Sequence, residues 1–315
     1  MVSTFTSQGL IRTLMTFTQK LGRAAAATEA RLTKLLDELA PPEQTSSRLA
    51  AAIRHAVLGG GKRFRPFLVI ESAALFGICE DEALNTAAAL ECLHCYSLAH
   101  DDLPAMDNDT MRRGQPTVWH AYDEWTAILA GDGLLTFAFE ILAQPETHAD
   151  AAIRLALIGE LASASGARGM VGGQALDLEA EKIDESGAAT LQSIRSLQSM
   201  KTGALIRFAC ASGPILAGAR AADCERMKSF GDVLGFAFQI ADDLLDVEGT
   251  PEEVGKAVAK DADAGKATLV SLMGLEAARL QLAELEREAI ALLKPFGAQG
   301  VTLAQAASFV VNRRN

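Results

Sequence analysis

Two clusters of aspartate stand out because each lies in an apolar, helix-forming stretch of the chain. Each cluster contributes three carboxylates: Asp101, Asp102 and Asp107 in the first, and Asp242, Asp243 and Asp246 in the second. A single buried carboxylate neutralises itself or finds a partner, so two separate groups of three require cations. Hard oxygen ligands that share a polyphosphate are typical of Mg²⁺ sites. The clusters therefore predict a metal-assisted enzyme that acts on a diphosphate.

The spacing within each cluster makes a prediction about local structure. Asp242 and Asp246 are four residues apart, so both carboxylates share one face of a helix. Asp101 and Asp107 are six apart, which on a regular helix places them about 120° away from each other. Pro104 lies between them and disrupts the preceding turn. We therefore expect the helix to end or bulge there, so that Asp107 rejoins Asp101 on one face.

A second set of residues is basic. The segment 61–66 places Lys62, Arg63 and Arg65 beside a glycine turn and a helix start, which is typical of a diphosphate clamp. His94 lies two helical turns before Asp101, although a lone helical histidine is more often a core residue. Further polar candidates are scattered, and each taken singly is more typical of a solvated surface: Arg112, Arg113, Lys201, Thr202, Gln239, Lys256 and Lys266.

The elements that carry these residues are predicted to be helices. Alanine and leucine abound, aromatic residues are only 5% of the chain, and alternating strand patterns are scarce. Gly131–Gly133 is expected to precede an apolar helix that runs to Leu142, and Gly172-Gly173 to kink or open a helix near Gln174. A capping box is expected at 250–253. The clearest helical patterns cover 67–77, 84–100, 226–247, 276–293 and 302–311.

Composition limits the class of protein. With 315 residues and 49% hydrophobic content, we expect one domain over 1–315 with a large core. A net charge of −11 argues against nucleic-acid binding. Five scattered cysteines favour reduced thiols in the cytoplasm. We expect no apolar run of the roughly 18–20 residues that span a bilayer. Residues 1–30 are expected to form a loose basic extension; a transit segment is the alternative.

Taken in order, the motifs closely resemble those of trans-isoprenyl diphosphate synthases, from about residue 50 to the end. The nearest subgroup is the bacterial-type farnesyl diphosphate synthases, together with geranylgeranyl diphosphate synthases. The resemblance implies an all-α isoprenoid synthase fold, with about ten or more helices around a central cavity, and a homodimer. It rests on Gly61–Pro66, His94, Asp101–Asp107, Arg112–Gly114, Gly131–Gly133, Gly172–Gln174, Lys201–Gly203 and Phe238–Asp246.

The resemblance also implies roles for individual residues. Three Mg²⁺ ions would be held by Asp101, Asp102, Asp107, Asp242 and Asp246. The allylic diphosphate would be bound by Arg112, Lys201, Lys256 and Lys266. Isopentenyl diphosphate would be bound by Lys62, Arg65, His94 and Arg113. Thr202 and Gln239 would offer oxygens near the allylic cation. Thr110 departs from the family pattern, in which an acid is frequent at this position.

Product length is predicted from the helix before Asp101. Ser97 lies one turn before Asp101, and one turn is about 5.4 Å, close to one isoprene unit. Beside it, the aromatic Tyr96 resembles the residue that closes the cavity in C15-producing relatives. We therefore expect farnesyl diphosphate, with geranylgeranyl diphosphate as the alternative; Tyr96 as an ordinary core residue is the other interpretation.

Three other classes are compatible with parts of the sequence. A terpene cyclase would share the first aspartate cluster but would not need Lys62, Arg65 and His94, and its second cluster usually contains Asn, Ser and Glu. A di-iron bundle would use the Glu91-x-x-His94 pattern, but it needs a second copy, which the sequence lacks. A non-catalytic subunit of a prenyl synthase usually loses one aspartate cluster, and here both are intact.

Overall fold

The structure is a computed structural model that describes residues 15–39, 45–182, 190–248 and 268–313. Lys256, Lys266 and the capping box expected at 250–253 lie outside the described residues. The first half contains α1 (Phe17–Leu39), α2 (Ser47–Leu58), α3 (Phe64–Leu75), α4 (Glu80–Asp101), β1 (Met111–Arg112), β2 (Gln115–Pro116), α5 (Val118–Ala121), α6 (Glu124–Ala143) and α7 (Ala151–Ser165). The second contains α8 (Met170–Lys182), α9 (Leu191–Gln198), a π-helical turn (Ser199–Gly203), α10 (Ala204–Leu216), α11 (Ala221–Glu248), α12 (Leu269–Met273), α13 (Leu275–Leu293), a 3₁₀ segment (Lys294–Gly300) and α14 (Val301–Val311).

The expected all-α class is confirmed, and the one exception among the described residues is the short antiparallel pair β1–β2. The pair is a tight hairpin, in which Arg113 and Gly114 both have positive φ. It turns the chain directly after the first aspartate cluster and so brings Arg112 and Arg113 back toward α4.

Helix α4 is the centre of the bundle. Its start is well defined, because the N–H of Cys79 donates to Glu82 Oε2 at 2.9 Å and three acids lie in the first turn. Most of its residues are buried on all sides, including the alanine run 87–89. Small side chains let α3 and α6 pack closely against it. A helix buried in this way holds its last residue, Asp101, in a defined position.

Glycines make the other close contacts between helices. A Cβ on Gly131 would lie 2.1 Å from His100 Nε2, and one on Gly213 would lie 2.3 Å from the backbone carbon of Ser72. Gly131–Gly133 therefore does not precede a helix as expected; it lies inside α6, where it allows α4 to approach. Gly172-Gly173 likewise lies inside α8, and a Cβ on Gly173 would lie 2.2 Å from the backbone nitrogen of Lys201.

The N-terminal segment differs from expectation in the part that the structure describes, from Met15 onward. We expected a loose extension over residues 1–30, but from Phe17 onward the chain forms α1, with Ala24 and Thr28 buried. The Phe17 ring packs against Phe67 and Phe309 at centroid distances of 5.4 and 5.1 Å. These contacts join α1 to α3 and to α14, which carries the end of the chain.

Helix α6 also differs from expectation. By length and composition it is apolar enough to cross a bilayer, whereas we expected no such run. Half of its apolar window is buried among the other helices, and no other helix in the described ranges passes the same test. The burial is typical of a core helix in a bundle.

Candidate active site

The first aspartate cluster begins where α4 ends. The N–H of Asp107 donates to the carbonyl of Asp101 at 2.8 Å, and the N–H of Met106 donates to that of Leu103 at 2.9 Å. These bonds close a compact turn around Pro104, as its missing N–H requires. The turn returns Asp107 to the end of the helix beside Asp101. The expected helix end between these two aspartates is thus confirmed.

A cavity of about 480 Å³ lies between this turn and α11. Asp101 and Asp242 both line it, although they come from different helices. Its other lining residues are partly polar and partly apolar or aromatic: Arg65, His94, Ser97, His100, Gln174, Lys201, Thr202 and Gln239 are polar, and Tyr96, Leu98, Met106, Met170, Val171, Ala175, Leu178, Leu205 and Phe238 are apolar or aromatic. The structure therefore brings nine of the predicted site residues to one space.

Asp102 is paired on the other side of α4 and does not line this cavity. Its carboxylate is buried and lies 2.6 Å from both Nε and Nη2 of Arg112. Arg112 also reaches Asp109 Oδ2 at 3.4 Å. Burial raises the pKa of Asp102, and the hydrogen bond from Arg112 opposes that change. In this geometry Asp102 orients Arg112, and neither side chain meets the cavity.

The basic residues form a group beside the cavity. Arg65 Nη1 lies 3.4 Å from His94 Nε2, and the Nε of Arg65 is buried with no partner among the described residues. Burial first, and then the nearby Arg65 and Arg113, lower the pKa of His94 well below its ordinary value. His94 is therefore neutral at pH 7. An unpartnered cationic donor at the cavity wall favours a bound anion.

Arg113 packs on the glycine turn that precedes α3. Its Nη1 donates to the carbonyl of Gly60 at 2.6 Å, and a Cβ on Gly61 would lie 2.8 Å from its Cζ. Gly61 has a φ of 121°, a backbone conformation that residues other than glycine rarely adopt. Lys62 is exposed nearby, outside the cavity lining. Burial and then Arg313 lower its pKa.

The third cation of this segment is not available to a ligand. The guanidinium of Arg63 is fully buried and points away from the cavity to Glu91, Val57 and Glu29. Of the cations in the pattern Lys62-Arg63-Phe64-Arg65, Arg65 lines the cavity, Lys62 lies exposed outside its lining, and Arg63 belongs to the core.

Lys201 is positioned by an irregular turn. It lies in the π-helical turn Ser199–Gly203, and its Nζ lies 2.6 Å from Asp177 Oδ2 on α8. π-helical turns are frequent at functional sites because they displace side chains from regular helical positions. Close by, both amide atoms of Gln174 are buried without a hydrogen-bond partner among the described residues. These unsatisfied groups also favour a polar ligand in the cavity.

The three aspartates of the second cluster have different surroundings. Asp242 lines the cavity and lies 2.6 Å from Arg313, whose guanidinium also packs over the Phe238 ring at 4.1 Å. Asp243 is buried and accepts a hydrogen bond from the N–H of Leu269 at 2.9 Å, which joins α11 to the start of α12. Asp246 is half-buried on the same helical face as Asp242 but outside the cavity lining.

The aspartates suit a hard divalent cation only in combination with further ligands. Burial, together with Asp107, raises the pKa of Asp101 to about 6 although Lys201 opposes the shift. A cation beside this carboxylate would reverse that shift. In the ranges that the structure describes, no group of three His, Cys, Asp or Glu side chains is gathered as a ready-made metal site. The donors therefore fit Mg²⁺ that takes additional oxygens from a diphosphate.

Comparison with known proteins places this geometry in a family. A sequence profile described as polyprenyl synthetase matches residues 46–294. The chain belongs to the polyprenyl synthetase family. It is 38% identical over 296 residues to the farnesyl diphosphate synthase of Geobacillus stearothermophilus, covering 94% of this chain and 97% of that one. It is 42% identical over 264 residues to the geranylgeranyl diphosphate synthase of Cyanophora paradoxa, covering 84% of this chain and 87% of that one.

A solved structure agrees with this placement. The crystal structure of an FPP/GFPP synthase from Zymomonas mobilis, in its apo form, matches with a TM-score of 0.83 and 43% identity, covering 93% of this chain and 99% of that one. The predicted isoprenoid synthase fold is thereby confirmed. This polyprenyl synthetase is a short-chain trans-prenyltransferase of isoprenoid synthesis, and its substrates are isoprenoid diphosphates.

Sequence reasoning did not assign their observed roles to three residues of the site region. Asp177 holds Lys201, Arg313 pairs with Asp242, and Glu91 binds the buried Arg63. Asp177 follows the Gly172-Gly173-Gln174 motif by three residues, which is a usable signal. Arg313 follows an apolar helix near the end of the chain, where a pair of arginines is unremarkable in sequence.

Proposed function

We propose that this prenyltransferase is a farnesyl diphosphate synthase that joins isopentenyl diphosphate to dimethylallyl and geranyl diphosphates. The observation that supports this most directly is one cavity with two chemically different ends. Asp101, Asp242 and Lys201 lie at the polar end, while Tyr96 and Leu178 line an apolar part. A substrate with a diphosphate head and a hydrocarbon tail matches that division.

The carboxylates at the polar end would hold Mg²⁺, in the expected number of three. Asp101 from the α4 turn and Asp242 from α11 line one space, and Asp107 and Asp246, which lie outside its lining, would supply further oxygens. Asp102 would reach it only by releasing Arg112. When bound, Mg²⁺ supplies positive charge to the diphosphate as the allylic carbon–oxygen bond breaks.

The cations would divide between the two substrates. Lys201, together with Lys256 and Lys266 outside the described residues, would hold the allylic diphosphate, which leaves and therefore needs strong charge stabilisation. Arg112 would join them only when it is released from Asp102. Isopentenyl diphosphate keeps its diphosphate through the reaction. Lys62, Arg65, His94 and Arg113 would bind it without metal.

Bond making follows in the interior of the cavity. The allylic carbon–oxygen bond breaks with its electron pair going to the diphosphate, and the double bond of isopentenyl diphosphate attacks the resulting cation. The new cation then loses a proton to the departed diphosphate. Thr202 and Gln239 line the cavity and would place oxygens beside the allylic cation. Alignment of the two substrates and exclusion of water supply much of the remaining rate enhancement.

Product length follows from the α4 wall. Tyr96 is 7% exposed, and its ring packs edge-on against His100 with centroids 5.3 Å apart. This pair would limit the allylic chain to farnesyl length. Geranylgeranyl diphosphate is the alternative product, and the similarity to the geranylgeranyl diphosphate synthase of Cyanophora paradoxa supports this alternative.

The direct test is incubation of purified protein with labelled isopentenyl diphosphate, dimethylallyl diphosphate and Mg²⁺, followed by dephosphorylation and sizing of the alcohols. A dominant C15 alcohol is the expected result. A dominant C20 alcohol would retain the chemistry and reject the product. Absence of elongation with dimethylallyl, geranyl and farnesyl diphosphates would reject the proposed function and favour a cyclase or a regulatory subunit.

We also propose that the protein is a cytoplasmic homodimer. One face of α6 and α7 exposes large apolar side chains: Trp125, Ile128 and Leu129 on α6 and Leu155 on α7, the last 70% exposed. Trp125, Ile128 and Leu129 are spaced i, i+3 and i+4 and so share one face of α6, and an exposed apolar face of this kind supports an interaction surface. Sedimentation of the wild type should give a dimer, and Leu155→Arg should shift it toward monomer. A monomeric wild type would reject the dimer.

A further inference from the structure

A carboxylate is buried among the arginines of the isopentenyl diphosphate region. Glu91 lies on α4, one turn before His94 and Cys95, and its side chain is 2% exposed. Its Oε1 is 2.5 Å from Arg63 Nη1 and 3.9 Å from Arg113 Nη2. The Cys95 thiol also donates to it, at 3.9 Å. None of the roles assigned above uses this residue.

The partner of Glu91 determines the path of the chain before α3. The Arg63 guanidinium also donates to the Val57 carbonyl at 2.5 Å and to Glu29 at 3.3 Å. The Arg63 backbone is left-handed, with a φ of 49°, which is uncommon for a residue that is not glycine. Because its side chain is anchored, the neighbours Lys62 and Arg65 are carried to defined places on either side.

The same carboxylate counteracts repulsion within the cation group. Arg65, Arg63 and Arg113 all lie close enough to His94 to lower its pKa, after the larger effect of burial. Glu91 leaves part of this positive charge uncompensated, so the group retains attraction for a diphosphate. Without it, three guanidinium groups would face one another in a partly buried space.

We propose that Glu91 is a positioning residue for isopentenyl diphosphate, acting through Arg63 and Arg113. The proposal rests on the proposed function and adds a residue to its metal-free substrate site. It also gives the Glu91-x-x-His94 pattern a role. Arginines surround His94, so this pattern serves an anion site and is a poor pair of metal ligands.

Two effects of Glu91, its negative charge and its anchoring of the chain, predict opposite changes in diphosphate affinity for Glu91→Gln. If it acted only through its electric field, Glu91→Gln would strengthen diphosphate binding, because a negative charge is lost. Arg63→Gln would then weaken binding, because a positive charge is lost. If Glu91 acts by anchoring the segment before α3, both variants weaken binding, although their charges change in opposite directions.

The experiment is steady-state kinetics with each substrate varied in turn. Glu91→Gln and Arg63→Gln should each raise KM for isopentenyl diphosphate by about ten- to a hundredfold, the usual range for losing a charge-assisted contact. Both kcat and KM for geranyl diphosphate should stay within about twofold. The matched control is Glu160→Gln, which removes a surface-side ion pair with Lys228 (3.0 Å) and should change neither KM.

Folding and function are separated by a double variant and a binding assay. Arg63→Met/Glu91→Leu replaces the buried ion pair by apolar side chains, which is often neutral for stability. A thermally stable double variant with a raised KM for isopentenyl diphosphate supports the proposal. The proposal is overturned if the double variant has the wild-type KM, or if Glu91→Gln has a lower KM than the wild type. Calorimetric binding of inorganic pyrophosphate in EDTA needs no turnover, so weaker binding by both single variants supports the proposal even if the wild type fails to elongate.

Discussion

Replacing Tyr96 by alanine should lengthen the product, because the aromatic ring occupies the space that a further isoprene unit would enter. Tyr96 lies five residues before Asp101 on the same straight helix, which places it about 7.5 Å along the axis from the diphosphate end. Both residues line the same cavity of about 480 Å³. The ring therefore borders the space into which the hydrocarbon chain extends as it grows.

The size of the effect follows from packing energies. One additional isoprene unit buries five carbons, which favours longer products by about 4 kcal/mol at roughly 0.8 kcal/mol per carbon. With the ring present, forcing that unit into a filled space costs about 1–3 kcal/mol in strain, and more if the chain cannot shift. Removal of the ring relieves at least this strain. The ratio of C20 to C15 product should then rise by about 5- to 150-fold.

The assay uses geranyl diphosphate as starter with labelled isopentenyl diphosphate, and it sizes the C15 and C20 alcohols after dephosphorylation. Ser97→Ala is the matched control: the residue lines the same cavity, and its hydroxyl donates only to the His94 carbonyl at 2.8 Å. Its product profile should match the wild type. If folded Tyr96→Ala leaves farnesyl diphosphate unextended, the ring does not limit product length, and the argument from α4 geometry is wrong.

Three further predictions concern stability and metal binding. Gly213→Ala should lower the free energy of unfolding in urea by about 1–3 kcal/mol, because the added Cβ meets the backbone of α3. The control is Gly159→Ala, whose Cβ has nothing within 4 Å and which should be neutral or stabilising. Equal effects of the two substitutions would contradict the packing argument. Because burial lowers the pKa of His94, the unfolded chain binds a proton below about pH 6.5 that the folded chain does not. The wild type should therefore lose up to about 1.4 kcal/mol per pH unit relative to His94→Gln as pH falls below this value; parallel stability curves would refute it. Arg313→Gln removes the 2.6 Å ion pair of Asp242 and should strengthen Mg²⁺ binding without substrate by about two- to tenfold in calorimetry. Weaker binding would show that Arg313 does not compete for this carboxylate.

Much of the site was predictable because its signals are local. Pro104 between Asp101 and Asp107 predicts the end of α4, and the hydrogen bond from the Asp107 N–H to the Asp101 carbonyl confirms it. The helix-forming composition likewise predicts the bundle. These inferences need only covalent geometry and helix periodicity, which the sequence contains.

What the sequence does not contain is the partner of each residue. Gly131 and Gly133 look like helix-breaking residues, but the approach of His100 on α4 gives Gly131 a packing role within α6. Arg63 looks like a third ligand-binding cation until Glu91, 28 residues away, is seen to bind it. In both cases tertiary contact decides between two interpretations that are equally consistent with local sequence.

The π-helical turn at Ser199–Gly203 has a consequence for how this chain can vary. Such a turn contains one more residue than the α-helical turn it replaces, so it amounts to an insertion retained inside a helix. Helical phase therefore changes by about 100° across it, and side chains on α9 and α10 cannot be assigned to faces by one continuous periodicity. Deleting a single residue would restore a regular helix yet rotate Lys201 relative to Asp177. Losing or gaining one residue here would barely change the amino-acid composition, but it would move Lys201 out of its position in the site.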